Sequence, residues 1–487
     1  MAFLTQAANR GSVSTGYDID NSICFEDAND ESLIRNYSGD GDRRTWTYST
    51  WIKKQAFGSS AGIGYDYMYL FSAAYTSIFF LNDDRLRISL YNGSSTVYAD
   101  TSMLFRDPAA WYHIVVQLDS TQSTASDRVK IWVNGVRQTS FNNTTYTNMS
   151  QNEEFGIGQA SSNYQIGYWF AGGANNRGFS GYMAETHYAN GTAYEADDFG
   201  EFDDNGIWIP KEFEGSHGSK GFYFKFDDSS DLGKDSASSG IGDFTENNIS
   251  ATSQSTDTPT NNFATPNILI GAGGYFVVSE GATKGVLSTA GPGNNIGGVS
   301  LVSTIAVSKG KWYFEAKNDN DGDVYLYLGV ADTGSIAYTD GKTLGGSGSN
   351  PSVAWRGGGA FGGNSKVAIN NVVTGDSVTW ETEVVGVALD LDNGKIYFHK
   401  SGTYINSGDP ASGTDNGGQY DLPTAVDDQW LLGVSAYNLA TWNVNFGGYT
   451  AMTISSAETD ANGYGTFEYA PPSGYYALCT KNLAEYG

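Results

Sequence analysis

The chain has 487 residues, of which 39% are apolar. It is therefore long enough for two domains of about 200–250 residues and too apolar for global disorder. Its 54 acidic residues outnumber its 27 basic residues and give a formal net charge of −27, which argues against binding to nucleic acid or to anionic membranes.

The first half of the chain is dominated by short segments in which apolar and polar residues alternate. Residues 112–118 and 129–133 show this pattern, and residues 49–53 also read as a strand. Asn134-Gly135 follows the second of these segments directly and predicts a tight β-hairpin. Since no segment keeps a helical apolar stripe for three turns, we expect helices to be few and short.

The middle of the chain changes in composition. Residues 227–267 contain many Ser, Thr, Asp, Asn and Gly and few large apolar side chains. This composition predicts an extended connection and not a domain. The resulting organisation is an N-terminal arm at 1–20, a first domain at 21–226, a connector at 227–267 and a second domain at 268–487.

The second half repeats the alternating pattern with different residues. Residues 385–392 run into Asn393-Gly394 and return along residues 395–399, which predicts a hairpin with a type I′ turn. Two halves with short strands and frequent glycine turns predict an all-β chain. We expect two tandem antiparallel β-sandwiches.

Several segments carry a resemblance to known domain families. In the first half they are 46–53, 111–116, 128–135 and 179–185. These segments resemble the LamG/concanavalin A-like jelly roll. In the second half they are 310–315, 328–330, 385–399, 430–434 and 444–447. Those resemble a SPRY (B30.2-like) domain.

The joining and terminal segments carry a further resemblance. Residues 226–235, 243–249, 257–263 and 471–483 are similar to segments of virion proteins of tailed bacteriophages, particularly marine and cyanobacterial ones. In those proteins a LamG-like domain precedes a SPRY-like domain. The resemblance implies a non-enzymatic structural protein on the virion surface, as a head fibre, decoration protein or tail fibre. It also implies other virion proteins and host surface glycans as partners, and a homo-oligomer such as a trimer.

The residue pattern at the N-terminus and the two cysteines fit this interpretation. The N-terminus shows no basic segment followed by a long apolar run, and no stretch approaches the length of a membrane span. The two cysteines, Cys24 and Cys479, form neither a disulfide framework nor a zinc motif. We therefore expect synthesis in a host cytoplasm, without a signal peptide and without membrane insertion.

A glycan hydrolase is an alternative, because jelly rolls also carry glycosidases. The Glu-x-Asp-x-x-Glu pattern of that family is absent, and Glu381 and Glu383 are the nearest pair. We interpret that pair as a solvated strand end, and Asp390 and Asp392 as part of a hairpin turn. The chain is therefore predicted not to be an enzyme. A carbohydrate-binding module outside any virion is the other alternative.

Two sets of residues are candidates for binding. Trp355, Arg356, Tyr437 and Asn438 are predicted to lie in loops at one end of the second sandwich, where aromatic side chains could stack on sugars. Asp319, Asp321 and Asp323 are candidate Ca²⁺ ligands, with a plain acidic turn as the alternative. No other cofactor is predicted.

Overall fold

The chain forms two compact units, one ending at Asn261 and one beginning at Asn262. We call them the N-terminal unit and the C-terminal unit. The computed structural model describes residues 16–58, 67–160, 162–169, 178–269, 276–287, 299–320, 325–334, 343–346, 351–358, 365–374, 378–437 and 440–487. The predicted arm therefore lies largely outside the described residues.

Short strands make up the described part of the N-terminal unit. They are β1 (Ser22–Phe25), β2 (Ser32–Asn36), β3 (Thr45–Lys54), β4 (Tyr67–Ala73), β5 (Thr76–Leu81), β6 (Arg85–Tyr91), β7 (Thr96–Leu104), β8 (Tyr112–Asp119), β9 (Val129–Val133), β10 (Val136–Arg137), β11 (Phe141–Asn143), β12 (Asn163–Ile166), β13 (Gly181–Asn190), β14 (Gly200–Phe202), β15 (Trp208–Pro210), β16 (Phe222–Phe224), β17 (Thr245–Asn247) and β18 (Gln254–Ser255). Single 3₁₀ turns occur at Asp27–Asn29, Ala125–Asp127, Thr145–Asn148, Ala196–Asp198 and Ala251–Ser253.

Two antiparallel sheets form the sandwich of this unit. The first has the order β10-β9-β8-β3-β13-β1-β18, with β16 beside β13, and the second has the order β11-β7-β6-β5-β4-β12-β2-β17. Every second residue of β8, from Tyr112 to Leu118, is buried in the core between them. The alternation read from the sequence is confirmed there.

The hairpin predicted at Asn134-Gly135 is also confirmed. Val133 pairs with Val136, so Asn134 and Gly135 alone form the turn. Both have positive φ, 47° and 73° respectively. A type I′ turn requires that conformation at both positions, and asparagine and glycine adopt it at the lowest cost.

Residues 227–261 lie inside the N-terminal unit, where their composition predicted a connector. Strand β17 extends the second sheet beside β2, and β18 extends the first sheet beside β1. Edge strands as short as these are held by backbone hydrogen bonds, which any residue except proline can both donate and accept, whatever its side chain. Low hydrophobicity therefore gave no sign of their pairing.

The C-terminal unit is also a sandwich. Its strands are β19 (Phe276–Ser279), β20 (Lys284–Leu287), β21 (Val299–Val302), β22 (Lys311–Asn318), β23 (Tyr325–Asp332), β24 (Ser352–Gly357), β25 (Val367–Ile369), β26 (Val372–Val373), β27 (Val385–Asp390), β28 (Lys395–Lys400), β29 (Thr403–Tyr404), β30 (Tyr420–Asp421), β31 (Trp430–Tyr437), β32 (Thr441–Asn445) and β33 (Tyr476–Ala477). One sheet has the order β19-β20-β32-β22-β27-β28-β29, with β30 and β33 at its side, and the other has the order β21-β31-β23-β24-β25-β26.

Helices are few, as expected. In the described part of the chain the single α-helix is α1 (Thr480–Tyr486), and a 3₁₀ turn lies at Ile405–Ser407. Among the described residues, no helix has the length and apolarity that crossing a membrane would require. The predicted all-β fold of two antiparallel sandwiches is confirmed.

The hairpin of β27 and β28 is confirmed, but its predicted type I′ turn is wrong. Asp390 pairs with Lys395, so four residues form the turn, and only Gly394 among them has positive φ. The Asp390 carboxylate accepts hydrogen bonds from the backbone and side-chain N–H groups of Asn393 at 3.0 and 2.9 Å. These bonds stabilise the longer turn, and they give Asp390, the last residue of β27, the turn role that the sequence predicted for Asp392.

Candidate functional site

The predicted loop position of Trp355 and Arg356 is wrong, since both lie within β24. Trp355 is completely buried, and its ring packs against Trp380 at 5.5 Å. Arg356 is half-buried with its guanidinium 5.8 Å from the ring of Tyr327 on β23. A tryptophan next to an arginine suggests an exposed loop in sequence, but the alternation of a strand places the two on opposite faces.

The other predicted site residues are only partly described. Tyr437 is the last residue of β31, but its side chain and the whole of Asn438 lie outside the described residues. Asp319 is exposed and lies 3.7 Å from Lys284 Nζ, while Asp321 and Asp323 also lie outside the described residues. Within the described ranges no three acidic, His or Cys side chains are grouped to hold a metal ion. Calcium binding stays a prediction.

The sequence did not reveal the groove on the outer face of the N-terminal unit's second sheet. It has a volume of about 490 Å³, within the usual range for small-ligand pockets. We call it the aromatic groove. Its lining residues are Tyr67, Tyr69, Tyr75, Ser77, Phe79, Arg87, Ser89, Tyr91, Thr96, Tyr98 and Trp169.

Strand alternation explains how the aromatic groove is assembled. Along β4 to β7, one set of alternate residues enters the core and the other set faces outward. Register then aligns the outward set across the sheet, so that Tyr69 lies opposite Phe79, Phe79 opposite Arg87, and Arg87 opposite Asp100. Tyr69 and Phe79 stack with ring centroids 4.5 Å apart and form an apolar floor.

The mouth of the groove holds an exposed aromatic ring in a strained turn. Tyr75 is 62% exposed and makes edge contacts with Tyr91 at 5.5 Å and Trp169 at 6.2 Å. It occupies the two-residue turn between β4 and β5 together with Ala74, and their φ angles are 64° and 45°. Non-glycine residues avoid this conformation unless the surroundings impose it, and such outliers concentrate at functional sites.

Arg87 provides the guanidinium of the groove, and Asp100 neutralises it. Arg87 Nε and Nη2 donate to the two oxygens of Asp100, each at 2.7 Å. The guanidinium also lies over the ring of Tyr98 at 4.6 Å. The hydrogen bonds to Asp100 raise the pKa of Arg87 and place an opposite charge beside its guanidinium.

A period-2 signal for this groove was present in the sequence. Tyr67 and Tyr69 on β4, and Tyr91 and Tyr98 on β6 and β7, alternate with core residues where an outward face would ordinarily be charged. Aromatic residues on both faces of consecutive strands indicate one buried face and one binding face. In a chain with 14% aromatic residues, this signal is hard to separate from ordinary packing.

A second cluster of polar side chains lies on the outer face of the first sheet. Ser49 Oγ lies 2.8 Å from His113 Nε2, and Trp208 Nε1 lies 3.0 Å from His113 Nδ1. Burial, followed by the nearby His187, lowers the pKa of His113 to about 3. These residues are packed too closely to admit a ligand or even a water molecule. The cluster therefore resembles a nucleophilic site only in composition.

The same cluster contains a carboxylate whose residue has a strained backbone conformation. Glu185 occupies a β-bulge of β13 with a φ of 46°. Its oxygens accept hydrogen bonds from Tyr17 at 3.0 Å and Tyr223 at 2.7–2.8 Å, and His187 Nε2 lies 3.4 Å away. His187 Nδ1 in turn lies 3.1 Å from His217 Nε2. The bulge brings together groups that stabilise one buried carboxylate.

Together these features define an all-β sandwich protein with an aromatic groove on one sheet. Residues 27–192 match the family model Laminin_G_3, described as the concanavalin A-like lectin/glucanases superfamily. That match covers about a third of the chain and includes every residue that lines the aromatic groove. The predicted LamG/concanavalin A-like jelly roll is confirmed for this part.

Parts of the chain are similar to solved structures that include a pentraxin and two SPRY domains. A native heptameric SAP-like pentraxin from Limulus polyphemus is 19% identical, with a TM-score of 0.27, over 37% of this chain and 80% of that one. The TRIM65 PSpry domain is 15% identical, with a TM-score of 0.26, over 38% and 92%. The SPRY domain of human HERC1 is 10% identical, with a TM-score of 0.25, over 37% and 96%. No curated protein matches the chain.

Proposed function

We propose that this chain is a non-enzymatic glycan-binding protein and that the aromatic groove is its binding site. The observation that carries the proposal is an outward-facing groove of about 490 Å³ whose walls combine aromatic rings with hydroxyl groups. Sugar rings have apolar C–H faces, which stack on aromatic side chains, and hydroxyl edges, which need hydrogen-bond partners. Ser77, Ser89 and Thr96 supply such partners between the rings.

The chemistry of the groove favours binding over hydrolysis. A retaining glycosidase needs two carboxyl groups about 5–5.5 Å apart beside the scissile bond. Among the described residues, the lining side chains include no carboxylate, and the adjacent carboxylate of Asp100 is occupied by Arg87. A glycan hydrolase remains the alternative, and release of reducing sugar from a bound polysaccharide would support it.

A glycan array followed by titration of the hits tests the binding proposal. Tyr75→Ala removes an exposed ring at the mouth of the groove and should weaken binding by about 0.5–1.5 kcal/mol, or about 2- to 10-fold in Kd. Phe202→Ala removes another exposed ring outside the groove and should leave the Kd unchanged. Equal losses in both variants, or no glycan bound by the intact chain, would refute the proposal.

The biological setting is a separate part of the proposal. The order of the LamG-like and SPRY-like segments and the joining sequence resemble tailed-phage virion proteins. We therefore propose display on the virion surface, on head or tail, as an oligomer in contact with other virion proteins and with host glycans. Synthesis would take place in the host cytoplasm. Electron microscopy of particles labelled with an antibody to this chain tests it, and unlabelled particles would leave a glycan-binding protein outside a virion.

A further inference from the structure

The aromatic groove differs from the rest of the chain in its charge. The whole chain carries a formal charge of −27. The groove lining in the described residues has one ionised side chain, Arg87, and its charge is balanced by Asp100, which lies opposite it on β7. Tyrosine, serine and threonine side chains make up most of the remaining polar surface and are uncharged at neutral pH.

The geometry of Arg87 and Asp100 leaves one hydrogen-bond donor for a ligand but no net positive charge that would attract an anion. Two of the three guanidinium nitrogens of Arg87 donate to Asp100, whose side chain is only 2% exposed. Within the described part of the chain, the third nitrogen, Nη1, has no hydrogen-bond partner. It can donate to a sugar hydroxyl, as can the neighbouring hydroxyl groups of Ser77 and Ser89. A carboxylate or sulfate in the groove would instead face a neutralised arginine within a strongly acidic protein.

We propose that the aromatic groove selects uncharged saccharides and rejects uronate-containing or sulfated ones, because Asp100 neutralises Arg87. This inference rests on the proposed glycan-binding function and adds the chemical class of the ligand. Asp100 acts through Arg87 and is therefore a positioning residue that also sets specificity.

Matched sugar pairs test the proposal. Cellohexaose, laminarihexaose and mannohexaose are each titrated beside the derivative in which the C6 hydroxyl groups are oxidised to carboxylates. The intact chain should bind at least one neutral member more tightly than its oxidised counterpart, and that affinity should change little between 20 and 150 mM salt. Asp100→Asn exposes the charge of Arg87 and should raise affinity for the oxidised form by about fivefold, comparable to a partly exposed ion pair. That gain should diminish at the higher salt concentration.

Asp127→Asn is the matched control, because Asp127 pairs with Arg137 at 3.2 Å on a part of the unit that does not line the groove. It should leave both affinities unchanged. Tighter binding of the oxidised sugars by the intact chain would overturn the inference and leave the glycan-binding function standing, whereas binding of no saccharide would overturn both. If Asp100→Asn folds and its preference is unaltered, the role of Asp100 is refuted. If it does not fold, the comparison in the intact chain decides the selectivity.

Discussion

Trp208 Nε1 lies 3.0 Å from Nδ1 of His113, and this contact fixes the tautomer of a buried histidine. The indole N–H can only donate, so Nδ1 is the acceptor and carries no proton. Since burial lowers the pKa of His113 to about 3, its one proton at neutral pH must reside on Nε2. Nε2 therefore donates to Ser49 and cannot take its proton. The pair has the composition of a nucleophile and base but the wrong direction of hydrogen bonding.

Ser49 is accordingly expected to be chemically inert. A fluorophosphonate probe should leave the chain unlabelled at neutral pH, as judged by intact mass. Ser49→Ala should lower the free energy of unfolding by about 1 kcal/mol, the usual loss for one buried hydrogen bond. Labelling that disappears in Ser49→Ala would contradict the tautomer assignment and revive an enzymatic function.

The buried histidines predict sensitivity of the N-terminal unit to acid. Burial, followed by the nearby His187, lowers the pKa of both His113 and His217 to about 3, against about 6.5 in an unfolded chain. Between these values the unfolded state binds more protons, so the free energy of unfolding rises with pH and levels off above about 6.5. His113→Asn keeps an acceptor for Trp208 and should remove up to about 1.4 kcal/mol per pH unit from that slope. Hydrogen exchange of β8 amides measures it, and an unchanged slope would contradict the assignment.

A buried acid predicts the opposite trend in the C-terminal unit. Glu315 accepts hydrogen bonds from Tyr313 and from the backbone N–H groups of Glu468 and Tyr469, each at 2.8 Å. Burial outweighs these bonds and raises the pKa of Glu315 to about 7. The folded state thus binds more protons between about pH 4.5 and 7, and this group's contribution to stability is lost as pH rises through that window.

Glu315→Gln should abolish this contribution, which amounts to about 3 kcal/mol over the window. The measurement is the pH dependence of hydrogen exchange of β22 amides, compared with that of the intact chain. Glu383→Gln is a suitable control, because the hydrogen bonds of Glu383, to the backbone N–H of Glu381 and to Lys400, lower its pKa despite partial burial. If both variants change the slope in the same direction, the raised pKa of Glu315 is wrong.

The sequence predicted the parts of this fold that depend on hydrophobic alternation. The core positions of β8, from Tyr112 to Leu118, and the hairpin at Asn134-Gly135 follow from local pattern and turn chemistry. The groove did not, because its outward-facing Tyr69 and Phe79 look like core residues until strand register places them on one face. Trp355 was wrongly predicted to lie in a loop. The buried rings that it contacts, Trp380 and Phe398, are far from it in sequence, so the local pattern did not show that it is a core residue.

A buried ion pair tests whether residues 227–261 are part of the N-terminal unit. Lys53 Nζ lies 2.7 Å from Asp257, both side chains are buried, and Trp111 Nε1 donates to the same carboxylate at 3.1 Å. Asp257→Ala leaves a buried ammonium group uncompensated and should lower the free energy of unfolding by about 3–5 kcal/mol. The double variant Lys53→Met, Asp257→Leu should recover most of that loss. Wild-type stability of Asp257→Ala in urea unfolding would instead indicate a loose connector.

The strained turn at Ala74-Tyr75 predicts that replacing it with an unstrained turn raises the stability of the unit and weakens its glycan binding. Both residues have the left-handed conformation that a type I′ turn requires, at a cost of roughly 1–2 kcal/mol each for side chains other than Gly or Asn. Replacing them with Asn-Gly should raise the free energy of unfolding by about 1–2 kcal/mol while removing the exposed ring from the groove. Glycan affinity should fall as it does in Tyr75→Ala. Ala74→Asn alone is the control, because it relieves part of the strain, keeps Tyr75 and should retain binding. Intact binding by the Asn-Gly variant would show that Tyr75 does not contact the ligand, and unchanged stability would show that the turn stores no strain.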